Sequence, residues 1–96
     1  MPSRTATAPV NFDAGSGWRL HPQVALRREE FGALAYHYGN RRLVFLKSRP
    51  LVELVAALER YGTARAAIDD LVPEADRPQY QRALARLAAS EVIDAR

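Results

Sequence analysis

Residues Phe31 to Pro50 read FGALAYHYGNRRLVFLKSRP, and their reading decides the fold. Tyr36-His37-Tyr38 and Leu43-Val44-Phe45-Leu46 are rich in aromatic and β-branched side chains. They flank Gly39-Asn40, a pair suited to a two-residue hairpin turn. Pairing about that turn sets Tyr36 opposite Leu43 and Leu34 opposite Phe45 on one face. Ala35 then faces Val44, and Ala33 faces Leu46, on the other. Both faces are apolar, a pattern expected of a strand with something on either side of it. In a 96-residue chain the second strand of such a hairpin is expected at a sheet edge. An apolar, sparsely blocked edge is a liability unless something is meant to pair with it. Function is therefore sought at that edge.

Toward the N-terminus, Leu20, Val24 and Leu26 share parity around Pro22, which predicts a short first strand tolerating a proline near its start. Glu29-Glu30 make the polar turn into the hairpin. Residues 1–17, MPSRTATAPVNFDAGSG, are aperiodic and rich in Pro, Ser, Thr, Ala and Gly, so they are expected to be a flexible tail before a domain over 18–96. Val10 and Phe12 are its only candidates for docking.

Toward the C-terminus the period changes. Ser48 and Pro50 open a helix that runs to Tyr61, with Leu51, Leu54, Val55 and Leu58 as its apolar stripe. Gly62 is expected to stop it in a left-handed conformation, and Thr63 to cap a second helix that buries Ala64, Ala67, Ile68 and Leu71. Pro73 closes that helix. Asp76 and Gln79 have the spacing of a capping box for a third helix, with Pro78 in its first turn. Tyr80, Ala83, Leu84, Leu87 and Ala88 form its apolar face, and Val92 and Ile93 are expected to pack back on the core. The fold class is α+β: a three-stranded antiparallel sheet followed by three helices, in the manner of a winged helix-turn-helix.

Composition narrows the chemistry. The chain has no cysteine, which removes disulfides, thiolate nucleophiles and thiolate metal sites together. No apolar run approaches the roughly 20 residues of a membrane span, and no apolar h-region marks a signal peptide, so a cytoplasmic protein without membrane contact is expected. His21 and His37 lack metal-ligand spacing, and His37 falls across from Arg42, so no metal site is expected. Asp69-Asp70 are helix neighbours pointing in different directions, not an acid–base pair. Glycines are dispersed turn residues and form no phosphate loop. The expectation is a binding protein, not an enzyme, with no cofactor of its own.

Charge narrows the partner. The net charge is +3. Arg41, Arg42, Lys47 and Arg49 fall between Gly39 and Pro50 with no acid among them, and Arg77, Arg82 and Arg86 fall between Arg77 and Ser90, again with none. If the hairpin and the last helix lie side by side, they make one basic surface for a polyanionic or acidic guest. A winged-helix nucleic-acid binder would use Arg77, Arg82 and Arg86 on the third helix. Against it, the hairpin precedes all three helices, whereas the wing usually follows the recognition helix. The stronger reading is peptide recognition by strand addition: an extended acidic peptide pairs with Arg42–Lys47 and lies between that strand and the third helix, held by Arg41, Arg42, Lys47, Arg82 and Arg86.

The blocks HPQVALR (His21–Arg27), FGALAYHYG (Phe31–Gly39) and RRLVFLKS (Arg41–Ser48), with the junction Gly62-Thr63, resemble the mycofactocin biosynthesis chaperones. That family belongs to the recognition elements of ribosomally made peptides and is similar to the chaperone of pyrroloquinoline quinone biosynthesis. The resemblance covers most of the chain after residue 18. This chain departs from the family pattern at Arg28 and Glu30, near which the family carries proline, and at Asn40, where it carries threonine. The resemblance implies no catalysis. It implies binding of the acidic leader of a short precursor peptide, and delivery of that peptide to a radical S-adenosylmethionine maturase with auxiliary iron–sulfur clusters. The maturase would decarboxylate and crosslink the precursor's C-terminal Val-Tyr. It further implies a leader added beside the last hairpin strand, against the third helix. Carried over by architecture, this places the peptide along Arg42, Leu43, Val44, Phe45, Leu46 and Lys47 and along Tyr80, Arg82, Leu84, Arg86 and Leu87. Monomer and strand- or helix-exchanged dimer are both open.

Overall fold

The computed structural model describes residues 12–96. β2 (Val24–Glu29), β3 (Gly32–His37) and β4 (Leu43–Leu46) form an antiparallel sheet in that order. Its register is the expected one: Tyr36 opposite Leu43, Leu34 opposite Phe45, Ala35 opposite Val44 and Ala33 opposite Leu46. The turn that sets this register differs from expectation. Tyr38 to Arg41 form a four-residue loop closed by Arg41 N–H to His37 O at 2.7 Å, and Arg41 rather than Gly39 or Asn40 takes the left-handed conformation, at φ 63°. The His37 ring supports it, because its Nδ1 accepts the N–H groups of Gly39 and Asn40 at 3.0 Å each. Four residues with one left-handed position return the chain to the same pairing as a two-residue turn.

The other hairpin turns at Glu30-Phe31, with Glu29 opposite Gly32. Gly32 has φ 148°, and a Cβ there would stand 2.0 Å from the Leu46 carbonyl oxygen. Only glycine allows β3 to start this close to the end of β4.

The expected first strand is two strands. β1 (Trp18–Leu20) and β2 belong to different sheets, separated at His21-Pro22-Gln23, where proline cannot continue a ladder. β1 pairs instead with β5 (Ile93–Ala95) from the other end of the chain. Packing also reaches back past Trp18: Ala14 is buried, the Trp18 indole donates to Asp13 O at 2.8 Å, and the Phe12 ring lies 5.0 Å from that indole. Val10 lies outside the described residues.

α1 (Arg49–Ala57) is capped by the Ser48 hydroxyl, which accepts from Leu51 N–H at 3.2 Å. It tightens into a 3₁₀ turn over Leu58–Arg60 and then extends at Tyr61, so Gly62 does not provide the expected left-handed stop. Carbonyls there are satisfied from a distance: the Arg96 guanidinium donates to Glu59 O at 2.6 Å and to Tyr61 O at 2.8 Å. α2 (Ala64–Leu71) takes Thr63 as its cap, as expected, although Leu71 is exposed. α3 (Arg77–Ala89) lacks the expected capping box: Asp76 ends a preceding 3₁₀ turn with helical dihedrals, and its side chain makes no capping hydrogen bond. The Glu91 N–H bonds to Ala88 O and the Val92 N–H to Leu87 O, with Glu91 at φ 66°. This is a Schellman ending, and it turns the chain into β5.

The core lies between one face of the sheet and the helices. Leu46, Val52, Leu54, Val55, Leu58, Leu84, Val92 and Ile93 are its fully buried large side chains. Ala33 and Ala35 are the small residues that let α1 approach β3. Val92 and Ile93 pack back as expected.

Candidate functional site

The hydrogen-bond parity of the sheet decides which backbone groups of β4 are free. His37 N–H donates to Arg42 O at 2.9 Å, and Tyr38 N–H to Gln23 O at 2.8 Å. In an antiparallel ladder bonded and non-bonded pairs alternate. Ala33, Ala35 and His37 therefore bond toward β4, while Gly32, Leu34 and Tyr36 bond toward β2. On β4, Val44 and Leu46 spend their N–H and C=O groups on β3. Leu43 and Phe45 point theirs away from the sheet, and among the described residues no strand pairs with that edge.

Beside this edge lies a groove of about 310 Å³ between β4 and α3. Phe45 and Lys47 line one wall, Ser48 and Leu51 the floor where α1 begins, and Gln79, Tyr80, Ala83 and Arg86 the wall from α3. The Tyr80 and Ser48 hydroxyls lie 3.4 Å apart, joining the two walls through the residue that caps α1. The lining combines apolar Phe45, Leu51 and Ala83 with the hydroxyls of Ser48 and Tyr80, the Gln79 amide and the cations Lys47 and Arg86. Among the described residues neither cation is in an ion pair, nor are Arg41, Arg42 or Arg82. An acidic segment laid here would meet positive charge that no internal carboxylate has neutralised.

The structure sorts the sequence-derived site residues into three groups. Phe45, Lys47, Tyr80 and Arg86 line the groove, and Leu43 and Phe45 supply the free edge. Leu46, Leu84 and Leu87 are buried in the core, with Val44 half-buried behind the strand, so their side chains serve packing and not a guest. Arg41 and Arg42 stand at the hairpin loop, and Arg82 lines a separate depression with Phe12, Pro78, Gln81 and Ala85. The basic surface is accordingly narrower than the count of arginines implied. Arg77 is committed elsewhere, its guanidinium donating to Val72 O at 3.0 Å and to Asp69 O at 2.9 Å. Sequence reasoning missed Ser48, Leu51, Gln79 and Ala83 as lining. The one available signal was Ser48 itself, placed between the edge strand and α1.

A second constellation, His21, His37 and Glu91, brings one side-chain ligand atom from each within 4.8 Å of the others. His37 is buried at the end of β3, and its ring lies 4.3 Å from that of His21. Both Nδ1 atoms already accept backbone N–H groups, from Gln23 on His21 and from Gly39 and Asn40 on His37. A neutral imidazole with Nδ1 accepting carries its proton on Nε2, so these rings present donors where a cation needs lone pairs. Of the three, His37 pins the hairpin loop. The clearest perturbed titration lies elsewhere: the Tyr61 hydroxyl donates to the Asp70 carboxylate, and that hydrogen bond holds the phenol above its ordinary range.

Residues 17–94 match the peptide chaperone MftB family. The chain belongs to that family. It is 47% identical over 83 residues to the peptide chaperone MftB of Mycobacterium tuberculosis, covering 85% of this chain and 76% of the relative. It is 41% identical over 93 residues to the protein of the same name from Mycobacterium ulcerans, covering 96% and 85%. It is 44% identical over 85 residues to that of Mycolicibacterium smegmatis, covering 88% and 83%. No solved structure matches the chain. The family's name describes a binding role and not a catalytic one. Among the described residues no helix is long and apolar enough to cross a membrane.

Proposed function

We propose that this chain is a peptide chaperone of mycofactocin biosynthesis that binds the acidic leader of a short ribosomally made precursor by strand addition. The leader pairs with the outward N–H and C=O groups of Leu43 and Phe45 and lies against α3. Its carboxylates meet Lys47 and Arg86, with Arg41 and Arg42 steering from the loop and Arg82 from the flank of α3. The loaded protein presents the precursor to a radical S-adenosylmethionine maturase with auxiliary iron–sulfur clusters, and all bond-making belongs to that enzyme. The observation that carries this reading is an apolar strand with two residues' worth of unspent backbone groups, set beside a groove whose cations lack internal partners.

Strand addition obtains affinity from backbone hydrogen bonds and selectivity from the pockets that receive alternate side chains. Calorimetric titration with a synthetic leader peptide tests it directly. Saturable binding that weakens as salt rises is the expected result. No heat with the leader, together with salt-sensitive binding to duplex DNA, would replace this reading with a nucleic-acid one.

A further inference from the structure

The sheet has a second face that the helices do not cover. Leu34, Tyr36, Tyr38, Leu43 and Phe45 stand on it by parity, and Phe31 joins them from the first hairpin turn, its ring 5.9 Å from that of Phe45. Tyr36 and Tyr38 meet edge to face at 4.9 Å. Phe31, Tyr38, Leu43 and Phe45 are between 44% and 65% exposed. Core packing does not require these aromatics, because Ala33, Ala35, Val44 and Leu46 supply the side that meets the helices. A clustered exposed apolar patch of this kind marks an interaction surface.

The patch borders the same β4 edge that the peptide reading assigns to the guest. Side chains of an added strand alternate between the two faces of the extended sheet. One set enters the groove toward α3; the other stands in solvent beside Leu43 and Phe45, continuing the aromatic face. Resting on the peptide-chaperone reading, we infer that this outer face, completed by the bound peptide, is the docking surface for the enzyme that receives the peptide. That enzyme binds the loaded protein more tightly than the empty one. An enzyme that receives the peptide from this protein must approach the bound guest, and the outer face of the added strand is the side that α3 does not line. The docking patch on the enzyme is apolar and bordered by carboxylates, which meet Arg41 and Arg42 at the loop end, where among the described residues no acid pairs with them. Because the guest contributes part of the contact, the coupling is reciprocal: the enzyme tightens the peptide by the same factor as the peptide tightens the enzyme.

The test is the double variant Phe31→Ser with Tyr38→Ser, two exposed positions outside the β4 ladder, alongside the milder Tyr38→Arg. Leader affinity is measured by calorimetry, and affinity for the purified maturase is measured with and without saturating leader. The expected result is leader affinity within about twofold of the parent chain and maturase affinity reduced by about tenfold or more, with the leader-dependent tightening lost. Unchanged maturase affinity in both variants overturns the inference, as does equal binding of the maturase to loaded and empty parent chain. A parent chain that sediments as a dimer, and that Tyr38→Arg makes monomeric, overturns it too by giving the face to a second copy. Failure of the underlying reading is distinguishable, because it shows as absent leader binding to the unmodified chain, which removes the loaded state on which the inference depends.

Discussion

The two edges of the three-stranded sheet are built oppositely. β2 presents Arg27, Arg28 and Glu29 along its length, and Arg28 is tied to Glu53 of α1 at 2.8 Å. Arg27 pairs with Glu29 on the same strand at 2.7 Å. The Val24 N–H, which would otherwise face outward, is taken by His21 O at 2.9 Å. β4 reads Leu-Val-Phe-Leu, with no charge inside the strand and with Leu43 and Phe45 half in solvent. Charges and local hydrogen bonds are the usual means of discouraging edge-to-edge pairing. Such guards stand on β2, the closed edge, and not on β4, the open one. Both strands have outward backbone groups, so on the proposed reading the choice of edge would come from what surrounds those groups.

Proline replacements test this contrast most sharply. Val44→Pro removes a ladder N–H aimed at β3, so it should lower the folded state's stability by about 3 kcal/mol or more, seen as a collapse of the thermal transition. Phe45→Pro removes an outward N–H. It should leave the fold cooperative but weaken leader binding by about tenfold, the worth of one strong backbone hydrogen bond, in calorimetric titration. The matching change on the closed edge, Arg28→Pro, should leave leader affinity within about twofold. If Arg28→Pro and Phe45→Pro weakened binding equally, the contrast between the edges would not govern recognition.

Two smaller effects refine the picture. Arg86→Glu places an acid in the groove wall, whereas Arg82→Glu places one in the neighbouring depression. Both should lower leader affinity and flatten its salt dependence, and Arg86→Glu should do so more, because close charges escape screening better than distant ones. On the closed edge, Glu53→Ala breaks an exposed ion pair and should change stability by no more than about 1 kcal/mol, read from chemical unfolding.

The hairpin register was legible because a turn centred on Gly39-Asn40 fixes the pairing, and the four-residue loop that forms keeps the same centre. The caps at Ser48 and Thr63 were legible because a hydroxyl preceding an apolar helical stripe has one local use. The failures came where a side chain's bond or an element's placement overrides the local pattern. Gly39-Asn40 signals a two-residue turn, but the single His37 Nδ1 accepts both of their N–H groups, which favours a longer loop with Arg41 left-handed. Gly62 signals a helix stop, but Arg96 already satisfies the carbonyls at that junction. Arg82 and Arg86 look equivalent at a spacing of four, yet α3 sits so that one lines the groove and the other does not.

The amino-acid order alone determined the α+β class, the apolar edge strand and the cationic bias around it, since these follow from periodicity and composition read over a few residues. Tertiary structure alone decided that Trp18–Leu20 pairs with Ile93–Ala95, because three-residue strands carry too little local signal to announce a partner at the far end of the chain. It also decided that Leu43 and Phe45, not Val44, hold the free backbone groups. That choice is a matter of ladder phase, set jointly by β2, β3 and the loop bond between His37 and Arg42, and no property of residues 43–46 by themselves contains it.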